Sequence, residues 1–465
     1  MRNRREFLRA AACAAAIPAL PGWASGQAGG GEAADPWTQA ARIAAAVRPP
    51  QFSRREWDLR RSGARPGQDA TAAFAAAIAA CARAGGGRVV VPPGEYPTGA
   101  IRLRGGVNLH LLAGAVIRFV PDPAKYPLVL TRFEGLELMN FSPLVYAYGQ
   151  RNIALTGEPG AVLDGGAGPR AWWPWKNRRH HPNQIADRRR LYQLAQAGVP
   201  PAQRVFGTGH YLRPQFVQPY RCANVLIQGV TLRHSPMYHL HPVLCQNVTV
   251  RGVRCLSAGP NTDGCDPESS REVLIEHCHF STGDDCIAIK SGRDRDGRRL
   301  RTPSRQILIR GCRMARGHGA ITIGSEDTGG VFHVYAQDCA MDGAKLWYGL
   351  RIKDNARRGG VVEHIHARRL RAGRLARAGV EITYDYGAGP HGSYRPVVRE
   401  VSLENFEVGA VPQAFDLRGF PRDPISALRF SDCAFRGVTE PNVVENVTGV
   451  RLERVSINGH PIRHL

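Results

Sequence analysis

The segment Asn224-Val225-Leu226-Ile227-Gln228-Gly229-Val230 returns as Asn247-Val248-Thr249-Val250-Arg251-Gly252-Val253. It returns again as Glu272-Val273-Leu274-Ile275-Glu276-His277-Cys278 and as Gln306-Ile307-Leu308-Ile309-Arg310-Gly311-Cys312. The offsets between first residues are 23, 25 and 34, the last interval holding a polar excursion from Arg293 to Arg305. Weaker copies follow near Val361, Val398, Ile425 and Val450. A period of this size, built from short apolar strands with no helix between them, marks a β-solenoid. Leucine-rich repeats share the period but need a Leu/Asn consensus that is absent, and a β-sandwich supplies short strands without this self-similarity. The expected fold is all-β, a right-handed parallel β-helix forming a single domain over residues 57–465.

Cysteine spacing agrees with that reading. Cys222 and Cys245 are 23 apart, as are Cys255 and Cys278, while Cys265 and Cys286 are 21 apart. Thiols at the repeat spacing stack in neighbouring coils as small buried apolar groups. Mostly free thiols are expected, with a disulfide or two left open. No Cys-x-x-Cys occurs, which argues against a zinc site. Upstream, Asp69 to Ala84 patterns as an alanine-rich amphipathic capping helix with Asp69 as N-cap and Gly85-Gly86-Gly87 as its stop. Short strands follow at Val89-Val90-Val91 and Asn108-Leu109-His110-Leu111.

The opening Arg4-Arg5-Glu6-Phe7-Leu8-Arg9, an apolar run from Ala10 to Leu20 and small residues around Ala24 read as a twin-arginine-like export signal over residues 1–28. Residues 29–56 are expected to be a loose linker containing one short helix. The address this implies is periplasmic or secreted, and no stretch of the chain is long and apolar enough to span a membrane. A net charge of +23 suits an acidic partner through long-range attraction. Yet 57 of the 62 basic residues are arginine, the mark of codon bias, so the charge supports an acidic ligand only weakly. No nucleic-acid module accompanies it, and a monomer is expected.

Chemistry concentrates in Gly283-Asp284-Asp285-Cys286-Ile287-Ala288-Ile289-Lys290. Both aspartates can face one cleft only if the backbone turns ahead of the strand, and Gly283 makes that turn cheap. Asn261-Thr262-Asp263-Gly264 lies one coil earlier, placing Asp263 beside the pair at roughly the 4.8 Å inter-strand spacing. Three carboxyls that close cannot all ionise freely, so at least one pKa must rise. One carboxylic acid able to protonate a leaving group beside a second acting as base suits the hydrolysis of a carbohydrate. Gly317-His318-Gly319 offers a histidine in the next coil's turn. Arg351 and Lys353, two apart on a strand, share a face and could clamp a carboxylate.

Together, Asn261-Thr262-Asp263, Gly283-Asp284-Asp285, Gly317-His318-Gly319 and Arg351-Ile352-Lys353 resemble the signature of family-28 glycoside hydrolases, the polygalacturonase family. The resemblance extends from about Trp57 to Ile457 and includes the opening Gly85 to Gly94. It implies inverting hydrolysis of α-1,4-galacturonan or rhamnogalacturonan without a metal or other cofactor. Asp284 would be the general acid, Asp263 and Asp285 would activate water, and His318 would support the aspartates. Arg351 and Lys353 would bind a galacturonate carboxylate, Asn261 would order that subsite, and Lys290 and Tyr384 are further binding candidates. Inversion needs acid and base roughly 6.5–9.5 Å apart.

The repeat is interrupted over residues 166–213, which hold Trp172-Trp173-Pro174-Trp175 and Arg188-Arg189-Arg190. Such an insertion builds a lid or wall; its tryptophans either stack on sugar rings or pack the loop onto the solenoid. With the Arg293–Arg305 excursion, it points to an exo-acting enzyme trimming chain ends. A calcium-assisted pectate-lyase-like elimination and a non-catalytic glycan-binding solenoid are the alternatives from other classes. The four motifs argue against the first, and the second leaves three aspartates without work.

Overall fold

The computed structural model describes residues 35–177 and 179–465. The export signal expected over residues 1–28, and the first residues of the linker, lie outside them. Parallel strands pair coil to coil in three ladders around one interior. In the first ladder Val225, Val248, Val273 and Ile307 pair in register, as do Ile227, Val250, Ile275 and Ile309. The repeat copies found in the sequence are therefore successive coils.

What turns each coil is a left-handed residue at the start of each copy. Asn224, Asn247, Glu272 and Gln306 have φ of 57°, 54°, 56° and 56°. Asparagine tolerates that conformation better than most residues. It also stacks: Asn247 Nδ2 donates to Asn224 Oδ1 at 2.8 Å, and Asn224 Nδ2 to Asn152 Oδ1 at 2.7 Å. A second set of left-handed bends falls at Gly229, Gly252, His277 and Gly311. Between bends, side chains alternate, so Val225 and Ile227 fill the interior while Leu226 faces outward.

Residues 29–56 are not a free linker where the structure describes them. Helix α1 (Pro36–Ala46) packs Ala40 and Ile43, with Val47 just beyond it, onto Leu274, Leu308 and Tyr335, outward-facing apolar residues of adjacent coils. The backbone then locks at Arg48, whose N–H donates to Asn247 Oδ1 and whose carbonyl accepts from Asn247 Nδ2, both at 2.8 Å. Helix α2 (Thr71–Arg83) closes one end of the solenoid with Phe74, Ile78 and Cys81. It starts two residues later than the sequence suggests, with the Asp69 carboxylate accepting from Thr71 N–H at 2.8 Å. At the other end, His460–Ile462 turns back antiparallel onto Val455–Ile457.

All ten described cysteines are free and buried. Six follow a left-handed bend residue and aim Sγ at the carbonyl two residues back. Examples are Cys222 to Tyr220, Cys245 to Val243 and Cys278 to Glu276, each at 3.3 Å. Here the thiol serves as a weak donor to a carbonyl of the bend.

The insertion over 166–213 carries helix α3 (Ile185–Gln196), and the Arg293–Arg305 excursion forms the short helix α4 (Asp294–Leu300). Both rest on an antiparallel hairpin, Leu128–Phe133 with Leu136–Phe141. The hairpin and α3, with Phe206 and Met237, form a second apolar cluster that includes Phe133, Leu138 and Leu191. Arg204 pins α4 by two hydrogen bonds to the buried Asp296, at 2.5 and 2.9 Å. Trp172 and Trp175 pack edge-on at 4.9 Å, so those two rings hold the wall in place.

Candidate active site

The third ladder runs through Leu240, Cys265, Ile287, Ile321 and Leu350, and its mouth carries the motif residues. Register places Asp285, rather than Asp284, beside Asp263: Gly264 N–H donates to Asp285 O and Cys265 N–H to Cys286 O, each at 3.0 Å. Thr262 helps hold this turn by donating to Gly259 O at 2.7 Å and accepting from Gly283 N–H at 3.0 Å. A Cβ on Gly283 would lie 2.0 Å from Gly259 O, and one on Gly319 would lie 3.1 Å from Asp285 Oδ1. The glycines flanking the motifs thus permit neighbouring coils to approach.

Asp284 is the carboxylate that reaches the open cleft, its side chain 19% exposed against 4% for Asp263 and 1% for Asp285. His318 Nδ1 lies 2.8 Å from its Oδ1, and Asn261 Nδ2 donates to its Oδ2 at 3.3 Å. The imidazole stacks on Trp347 at 3.9 Å, which fixes its plane. Asn261 is itself held by Arg213, a buried residue that donates to Asn261 Oδ1 at 2.8 Å and to two carbonyls.

Environment separates the other two carboxyls. Burial alone would raise Asp285, but Lys353 and Arg351 outweigh it and hold Asp285 below the ordinary carboxylate range. Lys353 Nζ donates to its Oδ2 at 2.7 Å and Gly319 N–H to its Oδ1 at 2.8 Å. Asp263 moves the opposite way, well above its usual value, through burial and then the neighbouring Asp266 and Asp284. Asp266, fully buried, is pushed up to about 8 by burial, with Lys290 opposing. Lys290 Nζ stands 3.5 Å from Asp263, 3.6 Å from Asp266 and 3.5 Å from Glu326. Asp263 carries a raised value as expected for one of the three aspartates, but burial and Asp266 contribute more to it than Asp284 and Asp285 do.

Lys290 is therefore a buried counter-charge facing the pocket. Arg351 and Lys353 share a face as expected, but their cationic groups are committed inside the protein: Lys353 to Asp285 and Arg351 to Glu381. Tyr384 is no binding residue. It is fully buried, and its hydroxyl accepts from Val398 N–H at 2.8 Å; by strand alternation it points into the solenoid. Tyr386, two residues on, lines the pocket instead, its ring 5.1 Å from Lys353 Nζ. Sequence reasoning missed Asp266, Arg213, Glu326 and Tyr386, although Asp266 lies only three residues past Asp263.

The pocket, about 630 Å³, is walled by Glu134, Arg188, Tyr192 and Arg293 on one side and by Tyr386 and His391 on another. Arg188 donates to Glu134 at 2.7 Å and Arg293 to the Tyr192 hydroxyl at 2.6 Å, and Tyr192 also bonds Glu134. A shallower groove starts at Gly283 and His318 and runs past Trp347. Atoms of Asp284, Asp285 and His318 that could ligate a metal lie within 4.8 Å of one another. They do not suit a cation, because the Lys353 ammonium already occupies Asp285 and would repel it.

A parallel β-helix with clustered carboxyls at a cationic, partly closed cleft defines a carbohydrate-cleaving solenoid. The profile of the glycosyl hydrolases family 28 matches residues 207–414. An exopolygalacturonase of Thermotoga maritima is 41% identical with a TM-score of 0.87, over 92% of this chain and 97% of that one. The chain belongs to glycosyl hydrolase family 28. A probable polygalacturonase of Vitis vinifera is 28% identical over 75% of this chain and 66% of its own length, so the chain spans just under two thirds of that relative. A family 28 exopolygalacturonase of Yersinia enterocolitica, 22% identical with a TM-score of 0.73 over 89% of this chain and 76% of that one, shares the fold.

Proposed function

We propose that this protein hydrolyses α-1,4-linked galacturonic acid in pectic polysaccharide or oligogalacturonides, with inversion, and releases residues from a chain end. The observation that carries the reading is the division of labour among the carboxyls. Asp284 faces the cleft between Asn261 and His318, while Lys353 keeps its neighbour Asp285 ionised. In this scheme Asp284 protonates the glycosidic oxygen. Asp285 orients the attacking water, and Asp263, made more basic by burial and Asp266, receives the water's proton. His318 and Asn261 position Asp284.

Exo action is supported by Glu134, Arg188, Tyr192 and Arg293, which the hairpin, the insertion and the Arg293–Arg305 excursion add to the lining of the pocket. The names of the Thermotoga and Yersinia relatives point the same way. A sugar chain entering along the His318 groove would stop at these added residues after threading only its terminus. The natural setting is outside the cytoplasm, where such saccharides are met; among the described residues no helix is long and apolar enough to cross a membrane.

The test is a product time course on polygalacturonate and trigalacturonate without added metal, alongside Asp284→Asn. Monogalacturonate from the first time point, reduced by about 10²-fold or more in the variant, is the expected result. Mixed oligomers at early times would overturn exo action. An unsaturated product requiring calcium would overturn hydrolysis.

A further inference from the structure

Among the described residues, three arginines are at most 1% exposed: Arg132, Arg204 and Arg213. Two of them meet a carboxylate, Arg132 on Glu268 at 2.8 Å and Arg204 on Asp296. Arg213 meets none among the described residues. Its guanidinium donates instead to four uncharged oxygens: Gln184 Oε1 at 3.1 Å, Pro236 O at 2.9 Å, Pro260 O at 2.7 Å and Asn261 Oδ1 at 2.8 Å. Burial pulls its pKa down to about 10, against Glu134, Tyr238, Asp284 and Asp263, so it keeps its charge at neutral pH. A cation taken out of water without a counter-ion costs several kcal/mol, and packing alone gives no reason to keep one here. What Arg213 touches does give a reason. Gln184 precedes α3 in the insertion, Pro236 and Pro260 belong to loops of successive coils, and Asn261 bonds Asp284.

We infer that Arg213 is a positioning residue for the general acid, fixing through Asn261 which hydrogen-bonding group Asp284 meets. The inference rests on the hydrolase reading above, in which Asp284 gives up a proton. An asparagine amide offers an acceptor at one end and donors at the other, whereas a guanidinium has donors only. Arg213 therefore claims Asn261 Oδ1, which leaves Nδ2 to face Asp284 Oδ2 at 3.3 Å. That end donates, so it supports the carboxylate left after proton transfer and offers nothing to accept the acid's proton. An amide turned the other way would present Oδ1 to the protonated acid and bind that proton away from the glycosidic oxygen. Arg213 is also the last residue of the insertion and holds Gln184 within it, which ties the setting of the acid to the seating of the insertion.

Steady-state kinetics on trigalacturonate test this, using wild type, Arg213→Met, Asn261→Ala, the double variant and Asn261→Asp, each with matched circular dichroism. Arg213→Met is expected to lower kcat about tenfold with KM held within about twofold. In the Asn261→Ala background the same substitution should change kcat by less than about twofold, because the amide it acts through is gone. Asn261→Asp leaves Arg213 in place and turns a second acceptor toward Asp284, so kcat should fall about tenfold below that of Asn261→Ala. Unchanged kcat in Arg213→Met would overturn the inference. A loss that persists in the Asn261→Ala background would overturn it too, since Arg213 would then act through the loops alone. So would an Asn261→Asp enzyme no slower than Asn261→Ala, a comparison that stands even where Arg213→Met fails to fold. Failure of wild type to cleave trigalacturonate would instead overturn the galacturonide reading itself.

Discussion

Asp266 makes no contact with the open cleft, yet after burial it does most to raise Asp263, which lines the pocket. Both Asp266 oxygens lie buried without a hydrogen-bond donor among the described residues, and Oδ2 stands 3.6 Å from a Lys290 ammonium shared with Asp263 and Glu326. Its pKa of about 8 stands against 3.8 for an ordinary aspartate. A raised folded-state value means the native chain binds this proton more tightly than the unfolded chain. The contribution to stability is therefore fully present below 3.8 and is lost as pH rises through about 8. Asp266→Asn, which has the shape of the neutral acid, should remove that slope. Melting temperatures across this range should show the variant gaining on wild type as pH rises, and a constant difference would count against a protonated Asp266. The same residues show what sequence could convey. Alternation alone put Arg351 and Lys353 on one face, and the structure agrees. Their partners Asp285 and Glu381 lie 68 and 30 residues away, respectively, along the chain; which cation meets which carboxylate depends on coil register and on rotamers that no local pattern encodes.

At the scale of elements, the strands were legible and the pieces laid upon them were less so. The repeat revealed its coils because interior positions keep one period, whereas α1, α3 and the hairpin Leu128–Phe141 belong to no period. A signal for α1 did exist. Leu274 and Leu308 occupy outward positions where a solvent-facing strand would carry polar residues, and an apolar outward pair in successive coils asks for a cover. Ile43, 2% exposed, is the centre of that cover. Ile43→Ala should lower unfolding free energy by about 2–4 kcal/mol, measured by denaturant titration, and leave kcat/KM unchanged because the helix touches none of the pocket residues. The tryptophans of the insertion divided similarly. Trp172 and Trp175 are structural, while Trp173 donates from Nε1 to Ser235 O at 2.8 Å and still borders the outer groove.

For the molecule as a whole, the ten buried thiols need no oxidant to reach their places. Burial pushes Cys255 and Cys265 well above the usual thiol value, and all ten described thiols are shielded from reagents in solvent. A thiol-reactive dye should therefore leave the ten described cysteines of the native protein unlabelled and label all ten after denaturation, and reductant should leave the melting temperature unchanged. Labelling of several sites under native conditions would contradict the packing. The left-handed bends carry a different consequence. They recur at fixed places in every coil although the spacing between coils varies from 23 to 34 residues. Chain can thus be spliced in or out at the cleft-side loops without altering the winding beneath. Such a scaffold separates inheritance into two compartments, one that must be copied faithfully at the bends and one at the rim that is free to drift. Descendants of a single winding could then come to prefer different sugars through changes at the rim alone.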